Sequence, residues 1–410
     1  MATAGAPVVS WEAVRASFPG LDDKVFLDAA CVSLAPSEAG EAIHRFVDRV
    51  MMLPSVDATE HHIFLDEGRR RAAKEAAALI GASEDEIALV ESTSHGLALA
   101  ANGLSLTGGD NVLLCDLEFV GVAAPWAVRA RQTGLDLRFV RNREGRIEIE
   151  DIEKAMDART KVICISSVLW SSGHRLDLAA LSALATARGA ILILDVIQHL
   201  GPLRLDVRET PADVVVCGGH KWLNAPFGCG FLYIRKESLP KFRPSLWGYL
   251  NLTPPEGGWG TYFATPTISP LRPYEFVKEA RKMETGGTAN YPGAFGLAAS
   301  LALFNRTGPR AIEDRVQHLV GRLIEGLDAE KFRLVSPREV RSRSGIVVFT
   351  ARGGSGQDGK ILGRLRKRRV CISQRYTNRV GGLRASVHFF NNEADVDTLV
   401  LEAARARDES

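Results

Sequence analysis

At 410 residues the chain has room for two domains of ordinary size, and 46% apolar against 24% charged residues predicts a large core. A net charge of +2 argues against nucleic acid as the main partner, and no apolar run reaches membrane-spanning length. Met1 to Ser10 lacks the basic and apolar regions of a signal peptide. Cys31, Cys115, Cys164, Cys217, Cys229 and Cys371 form no CxxC pair, and most lie in apolar runs. They read as reduced core thiols of a cytoplasmic protein, with no metal site.

Trp11 to Phe18 predicts a short helix stopped by Pro19-Gly20. Val25 to Ala30 predicts a strand running into the small-residue loop Cys31 to Pro36. Such a loop suits either a close backbone approach to a ligand or a tight crossing of two loops. Glu41 to Met52 and Phe64 to Ile80 have helical periodicity, with Arg69, Arg70, Arg71 and Lys74 expected on a solvated face.

Ile87 to Val90 predicts a strand, followed by Ser92, Thr93 and Ser94 and a helix from Leu97 to Asn102. One helix cap needs one hydroxyl. The surplus suits an anion held at the helix N-terminus. Asn111 to Cys115 predicts the next strand, leading to Phe119 and a helix around Trp126 to Gln132. Phe119 reads either as a core aromatic or as cover for a flat ligand. Strands at Asp136 to Val140 and Lys161 to Ser166 enclose a helix from Ile149 to Met156, and the loop Ser167 to Arg175 follows.

Leu178 to Arg188 predicts a helix, and Ala190 to Asp195 a buried strand ending in a carboxylate, with Gln198 and His199 just beyond. A buried aspartate needs a cationic partner. Asp213 to Cys217 and Gly230 to Ile234 predict two further strands, joined through Gly218, Gly219, His220, Lys221 and a Pro/Gly-rich turn. A lysine held between buried strands is partly desolvated, which lowers its pKa and improves it as a nucleophile. The alternative is an ordinary surface lysine. Strands and helices alternate from Ile87 to Ile234, the pattern of a mostly parallel, doubly covered sheet. Ligands on such sheets bind beyond the carboxyl ends of the strands. Thr93, Phe119, Ser167, Asp195 and Lys221 all follow strand ends, so one crevice can hold them.

From Arg243 to Met283 aromatics, prolines and glycines predict an active-site or dimer-contact insertion. Phe295 to Asn305 and Ala311 to Leu327 predict long helices leading into a small domain. Its strands are Gly345 to Thr350 and Val370 to Ser373, with a solvated basic helix, Lys360 to Arg369, between them. Gly382 to Asn392 closes it, with Arg384 among apolar residues.

An acid at a strand end, followed one strand-and-crossover unit later by a lysine in a glycine-bearing loop, resembles the fold-type I pyridoxal-phosphate enzymes. The cofactor's aldehyde needs a lysine and its protonated ring nitrogen an acid. More narrowly the chain is similar to the class V aminotransferase family, from Leu27 to about Leu399. That family includes cysteine desulfurases, cystine and selenocysteine lyases, kynureninase and isopenicillin N epimerase. The resemblance implies an α/β fold: a mostly parallel seven-stranded sheet covered by helices, with a smaller α+β C-terminal domain. It implies a segment 1–36 packing with the small domain, a large cofactor domain at 37–294 and a small domain at 295–410.

The resemblance further assigns Lys221 and Asp195 to the cofactor and to catalysis. Thr93, Ser94 and His220 go to its phosphate, Phe119 to its ring face and Gln198 to its phenolic oxygen. Thr288, in the stretch Met283 to Asn290, is expected at the phosphate of a neighbouring subunit, which implies a homodimer. Arg384 is expected on the substrate's α-carboxylate, and Ala29 and Ala30 as backbone contacts. Ser167, Trp170, Arg175 and Arg375 are expected around an amino-acid substrate, with Arg375 and Arg379 available for a second acidic group.

Desulfurases carry a histidine where Phe119 stands and a nucleophilic cysteine in the segment that corresponds to Gln374 to Gly382, where this chain has none. Cys371, inside an apolar run, is expected to be inert. The expected reaction is therefore a lyase step at the α and β carbons of an amino acid through an α-carbanion, rather than persulfide-forming desulfuration. The alternatives are an epimerase or aminotransferase and, further off, a non-catalytic cofactor-binding regulator. The sequence shows no helix-turn-helix extension, which argues against the last.

Overall fold

The structure, a computed structural model, describes residues 9–409. The expectation of no leader within Met1 to Ser10 falls mainly on residues 1–8, outside the described ones. Helix α1 (Trp11–Ala16) is capped by Ser10, and strand β1 covers only Val25–Phe26. The strand expected through Ala30 stops there, because the chain turns after a single bridge from Asp28 to Ser386. Helices α2 (Ser37–Met52) and α3 (Ala58–Ile80) lead to β2 (Ile87–Val90).

An alternating run follows: α4 (Thr93–Gly103), β3 (Asn111–Cys115), α5 (Val120–Thr133), β4 (Asp136–Val140) and α6 (Ile149–Ala155). It continues with β5 (Thr160–Ser166), α7 (Leu178–Arg188), β6 (Ile191–Asp195), β7 (Val214–Gly218) and β8 (Gly230–Ile234). These strands form one seven-stranded sheet in the order β2-β8-β7-β6-β5-β3-β4. Only β8 runs antiparallel to its neighbours. Alternation along the strands splits the core by face. Val112, Leu114, Val162, Cys164, Ile193 and Val216 pack with α4 and α5. Leu113, Ile163, Ile165, Leu192, Leu194 and Val215 pack with α3, α6 and α7 on the other face. With both faces covered, the strands must be apolar throughout, which is why they read as unbroken hydrophobic runs.

The insertion contains a short helix, α8 (Gly258–Ala264), which stacks Trp259 on Phe263 with ring centroids 5.8 Å apart. Helix α9 (Tyr291–Thr307) packs against α2 and α3. Helix α10 (Pro309–Gly326), β9 (Phe332–Leu334), β10 (Ile346–Ala351), α11 (Ser355–Lys367) and β11 (Val370–Cys371) follow. The described chain ends with β12 (Ser373–Thr377), β13 (Val380–Ser386) and α12 (Glu393–Asp408). A second sheet, β12-β13-β10-β9, is antiparallel throughout. Strand β1 pairs in parallel with β11, tying the N-terminal segment to this region. The molecule is thus an α/β protein with a mostly parallel seven-stranded sheet and a C-terminal part built on an antiparallel one.

Two features depart from the sequence reading. Helix α12 and strand β9 were not expected, although Asn392 and Asp395 form a reciprocal capping box at the start of α12. Arg69 is not on a solvated face: it is buried, and its Nη2 donates to Glu284 Oε2 at 2.7 Å. Arg70 donates to the other oxygen of Glu284 at 3.1 Å. Among the described residues no helix is long and apolar enough to cross a membrane.

Candidate active site

Because β2, β3, β5, β6 and β7 are parallel, the segments after their carboxyl ends meet at one edge of the sheet. A cavity of about 310 Å³ opens there, with Thr93, Phe119, Asp195, Lys221 and Arg384 among the residues that line it. Four of the five strand-end residues expected in one crevice share it; Ser167 does not.

Asp195 ends β6 between β5 and β7, and its Oδ1 accepts a hydrogen bond from the Ile197 amide at 2.9 Å. Burial pushes its pKa up to about 6, against the pull of that amide and of Lys221. Lys221 faces the cavity and is otherwise enclosed by protein. Burial lowers its pKa; Asp195 opposes the shift and Arg384 adds to it. A desolvated acid and a desolvated amine thus share one cavity.

On a third side stands the start of α4. Ser92 is the cap, its Oγ accepting from the His95 amide at 3.1 Å, so Thr93 and Ser94 occupy the first turn. Thr93 Oγ1 accepts from the Gly218 amide at 2.9 Å. A Cβ on Gly218 would meet that oxygen at 2.9 Å, so the end of β7 needs glycine to approach α4. The remaining first-turn amides and the helix dipole favour an anion. His220 lines the same side, stacked on Phe227 at 5.2 Å, with its pKa lowered by burial and by Lys221.

Phe119 precedes α5 and receives Trp170 edge-on, the centroids 5.6 Å apart. Gln198 Nε2 donates to the Ala30 carbonyl at 3.2 Å, while Trp222 Nε1 donates to Gln198 Oε1 at 2.6 Å. Arg384, 1% exposed, reaches the cavity from β13. Its Nε donates to Ser373 and its Nη1 to the Trp170 carbonyl, each at 3.2 Å, and its Nη2 lies 3.6 Å from Asp28 Oδ1. Burial lowers the Arg384 pKa to about 10, partly offset by Asp28. Arg375 also lines the cavity, its Nη2 3.3 Å from Cys31 Sγ.

Thr93, Ser94, Phe119, Trp170, Asp195, Gln198, His220, Lys221, Arg375, Arg384 and Ala30 are gathered around this cavity. Ser167 is not: it is buried, and its amide and hydroxyl both donate to the Asp195 carbonyl, at 3.0 and 3.2 Å. Its predecessor Ser166 lines the cavity instead. Arg175 points elsewhere, donating to Glu313 at 2.7 Å. Ala29 is fully buried outside the lining, Arg379 borders a different depression, and Thr288 is exposed and outside the lining.

Cys31, Leu97, Gly121, Ser166 and Ile197 line the cavity but were not picked as site residues from the sequence. Cys31, Ser166 and Ile197 adjoin residues that were picked, Ala30, Ser167 and Gln198. Buried Glu118 was also missed. It accepts from the Ser166 amide at 2.8 Å and from the Cys115 thiol at 3.4 Å. Burial pushes its carboxyl up to about 7.

An acid, an amine, an aromatic face and a helix N-terminus around one cavity match the four parts of pyridoxal phosphate: ring nitrogen, aldehyde, ring face and phosphate. A buried aspartate whose pKa is raised by burial gains a counter-charge from such a cationic ring nitrogen. Fold and site define a pyridoxal-phosphate enzyme of the α/β type.

The pattern of the family Aminotransferase class-V matches residues 25–399. The chain belongs to the class V aminotransferase family, and its cofactor is pyridoxal phosphate. A relative from Pyrococcus abyssi, named as a probable cysteine desulfurase, is 29% identical over 95% of this chain and 96% of its own. The apo structure of a cysteine desulfurase from Thermococcus onnurineus superposes with a TM-score of 0.83 at 26% identity over the whole of both chains. The cystine C-S lyase C-DES, solved with its product cysteine persulfide, has a TM-score of 0.84 at 23% identity, over 95% of this chain and 99% of that one. A C-DES variant with glycine covalently linked to its cofactor gives 0.85 at 22% over 96% and 99%; both are likenesses of fold. The preference against a desulfurase drawn from the sequence has no support among these relatives.

Proposed function

We propose that this protein is a lyase that breaks a carbon–sulfur or related β bond of an α-amino acid. The observation that carries the reading is Arg384, a buried guanidinium in the same cavity as Lys221 and Asp195. Its planar fork suits an α-carboxylate bidentately. Bound there, pyridoxal phosphate supplies the electron sink for a carbanion at the substrate's Cα.

The chain's own residues do the rest. Asp195 would hold a proton on the ring nitrogen, and the first turn of α4 with His220 would take the phosphate. Phe119 would cover the ring and can move no proton. Lys221, with its lowered pKa, takes the proton from Cα as a free amine. Thr288 is assigned to the neighbouring site of a homodimer. The chain divides into a segment 1–36, a cofactor domain 37–294 and a small domain 295–410.

A second reading, persulfide-forming desulfuration, is favoured by the names of the relatives and by the thiol of Cys31 at the cavity wall. In it the Cys31 thiolate forms an S–S bond to the substrate's sulfur as the Cβ–S bond breaks, and a pocket acid protonates Cβ. The two readings differ in product. Purified holoenzyme given cysteine or cystine yields pyruvate and ammonia under β-elimination. Desulfuration yields alanine, with one added sulfur atom on the Cys31 peptide. A keto acid that keeps the substrate's sulfur and forms without ammonia, or inverted substrate, would refute both. Lys221→Ala should lose turnover by roughly three orders of magnitude or more, and borohydride should no longer fix the cofactor to the chain.

A further inference from the structure

We propose that Trp222, next to the lysine, is a positioning residue: its indole N–H orients the Gln198 amide so that Gln198 donates to the phenolic oxygen of the cofactor. The inference rests on the cofactor placement given under Proposed function. Trp222 and Gln198 are buried, 1% and 5% exposed, and Trp222 Nε1 lies 2.6 Å from Gln198 Oε1.

The two ends of a glutamine amide are ordinarily assigned by their neighbours. Here the neighbour decides, because an indole nitrogen can only donate. The amide oxygen therefore faces Trp222, and the nitrogen faces the other way. That nitrogen carries two hydrogens. One is given to the Ala30 carbonyl at 3.2 Å, and the other is left for the cavity that Gln198 lines. Turning the amide over would set two donors against each other and strip the indole of its acceptor.

Trp222 is itself fixed from the C-terminal part of the chain. His388 Nε2 donates to the Trp222 carbonyl at 2.8 Å, and the two rings meet edge-on at 5.1 Å. A Cβ on Gly345 would meet the indole at 2.9 Å, so the ring has no room to swing. The chain around β10 and β13 thereby sets the polarity of a group in the cofactor cavity, although Trp222 does not line it.

The test uses full-length protein with pyridoxal phosphate and compares Gln198→Ala, Trp222→Phe and the double variant. The readouts are the cofactor dissociation constant and the pH midpoint of the bound cofactor's visible band. Each single variant should weaken cofactor binding about three- to tenfold and move the midpoint in the same direction. The double variant should be no worse than either single one. Additive effects, or a Trp222→Phe protein indistinguishable from wild type, overturn the proposal.

Benzothienylalanine at position 222 keeps the ring's shape and deletes only the donor, so folding is preserved. It should reproduce the Trp222→Phe effect; wild-type behaviour overturns the proposal. Wild-type protein that takes up no cofactor would overturn the functional reading and this inference with it. Uptake with additive effects overturns the inference alone.

Discussion

The Lys221 amine stands 5.7 Å from the centroid of the Phe119 ring, across the mouth of the cavity. Phe119 is 43% exposed and lines the cavity. Trp170 braces it from the edge, which leaves a face open. A planar cofactor on that face would regain the stacking that the ring otherwise forgoes. Phe119→Ala should raise the dissociation constant for pyridoxal phosphate about three- to tenfold in an absorbance titration. Phe119→His, which keeps a flat ring, should lie closer to wild type. An unchanged constant in Phe119→Ala would mean that the ring covers nothing.

Arg384 keeps company with two neutral partners and the more distant Asp28. Burial holds the Asp28 carboxyl above its ordinary range, with Arg384 pulling the other way. Among the described residues its one acidic partner is Asp28 at 3.6 Å, beyond hydrogen-bond distance, so a substrate carboxylate can take the fork. Arg384→Lys should lower kcat/KM by roughly two orders of magnitude, because an ammonium cannot offer the fork. Most of that loss belongs in KM. An amine substrate without a carboxylate should react equally poorly with both proteins. Equal losses for both substrates would place Arg384 in the scaffold rather than at the carboxylate.

Much of this site was legible because its parts sit at strand ends, where apolar runs stop at chemically distinctive residues. Asp195 and Lys221 stood out in that way, and the parallel sheet then brought them together. What the sequence hid was the direction of side chains. Ser166 and Ser167 are adjacent and chemically identical, yet successive residues at a strand end point to opposite sides. Ser166 lines the cavity, and Ser167 is tied to Asp195. Arg175 resembled a pocket residue until Glu313, far along the chain, claimed it. The triplet Arg69, Arg70 and Arg71 read as one solvated face, but a helix carries successive residues about 100° apart. Only Arg69 turns fully inward, toward a glutamate that no local pattern could have paired with it.

Glu118 makes the pH behaviour testable. Its carboxyl is pushed up to about 7 from an ordinary 4.5 by burial, so the folded protein holds a proton there that the unfolded chain has released. That contribution to stability is present in acid and is lost as pH rises through about 7. Asp195 contributes with the same sign, lost as pH rises through about 6. His199 and His388, held near 3 by burial, act oppositely: they cost stability as pH falls below 6.5. These groups are common to wild type and Glu118→Gln, so the difference between the two reports Glu118 together with its coupling to Asp195. The variant's Tm relative to wild type should rise by about a few degrees between pH 5.5 and pH 8, measured without cofactor. A difference that stays flat with pH would show that Glu118 does not titrate there.

Glu284 closes the insertion that precedes α9, and it does so with charge. One oxygen takes Arg69 at 2.7 Å; the other takes Arg70 at 3.1 Å and the Leu89 amide at 2.9 Å. One carboxylate thus ties the end of the insertion to α3 and to β2, the edge strand of the main sheet. The Glu284 and Arg69 side chains are 7% and 8% exposed, so neither can be re-solvated in place. Glu284→Ala would leave buried Arg69 with only a long ion pair, its Nη1 3.9 Å from Asp66 Oδ1, a loss of about 3 kcal/mol in a denaturant titration. Removing both charges is a different experiment. Arg69→Met with Glu284→Leu fills the same space with apolar groups and leaves no stranded charge, so it should recover most of the loss. Arg70 keeps a partner in Glu84 at 3.2 Å, so it does not repeat the penalty. If the double variant is as unstable as Glu284→Ala, the contribution comes from the Leu89 hydrogen bond and from geometry, and the charge pair is incidental.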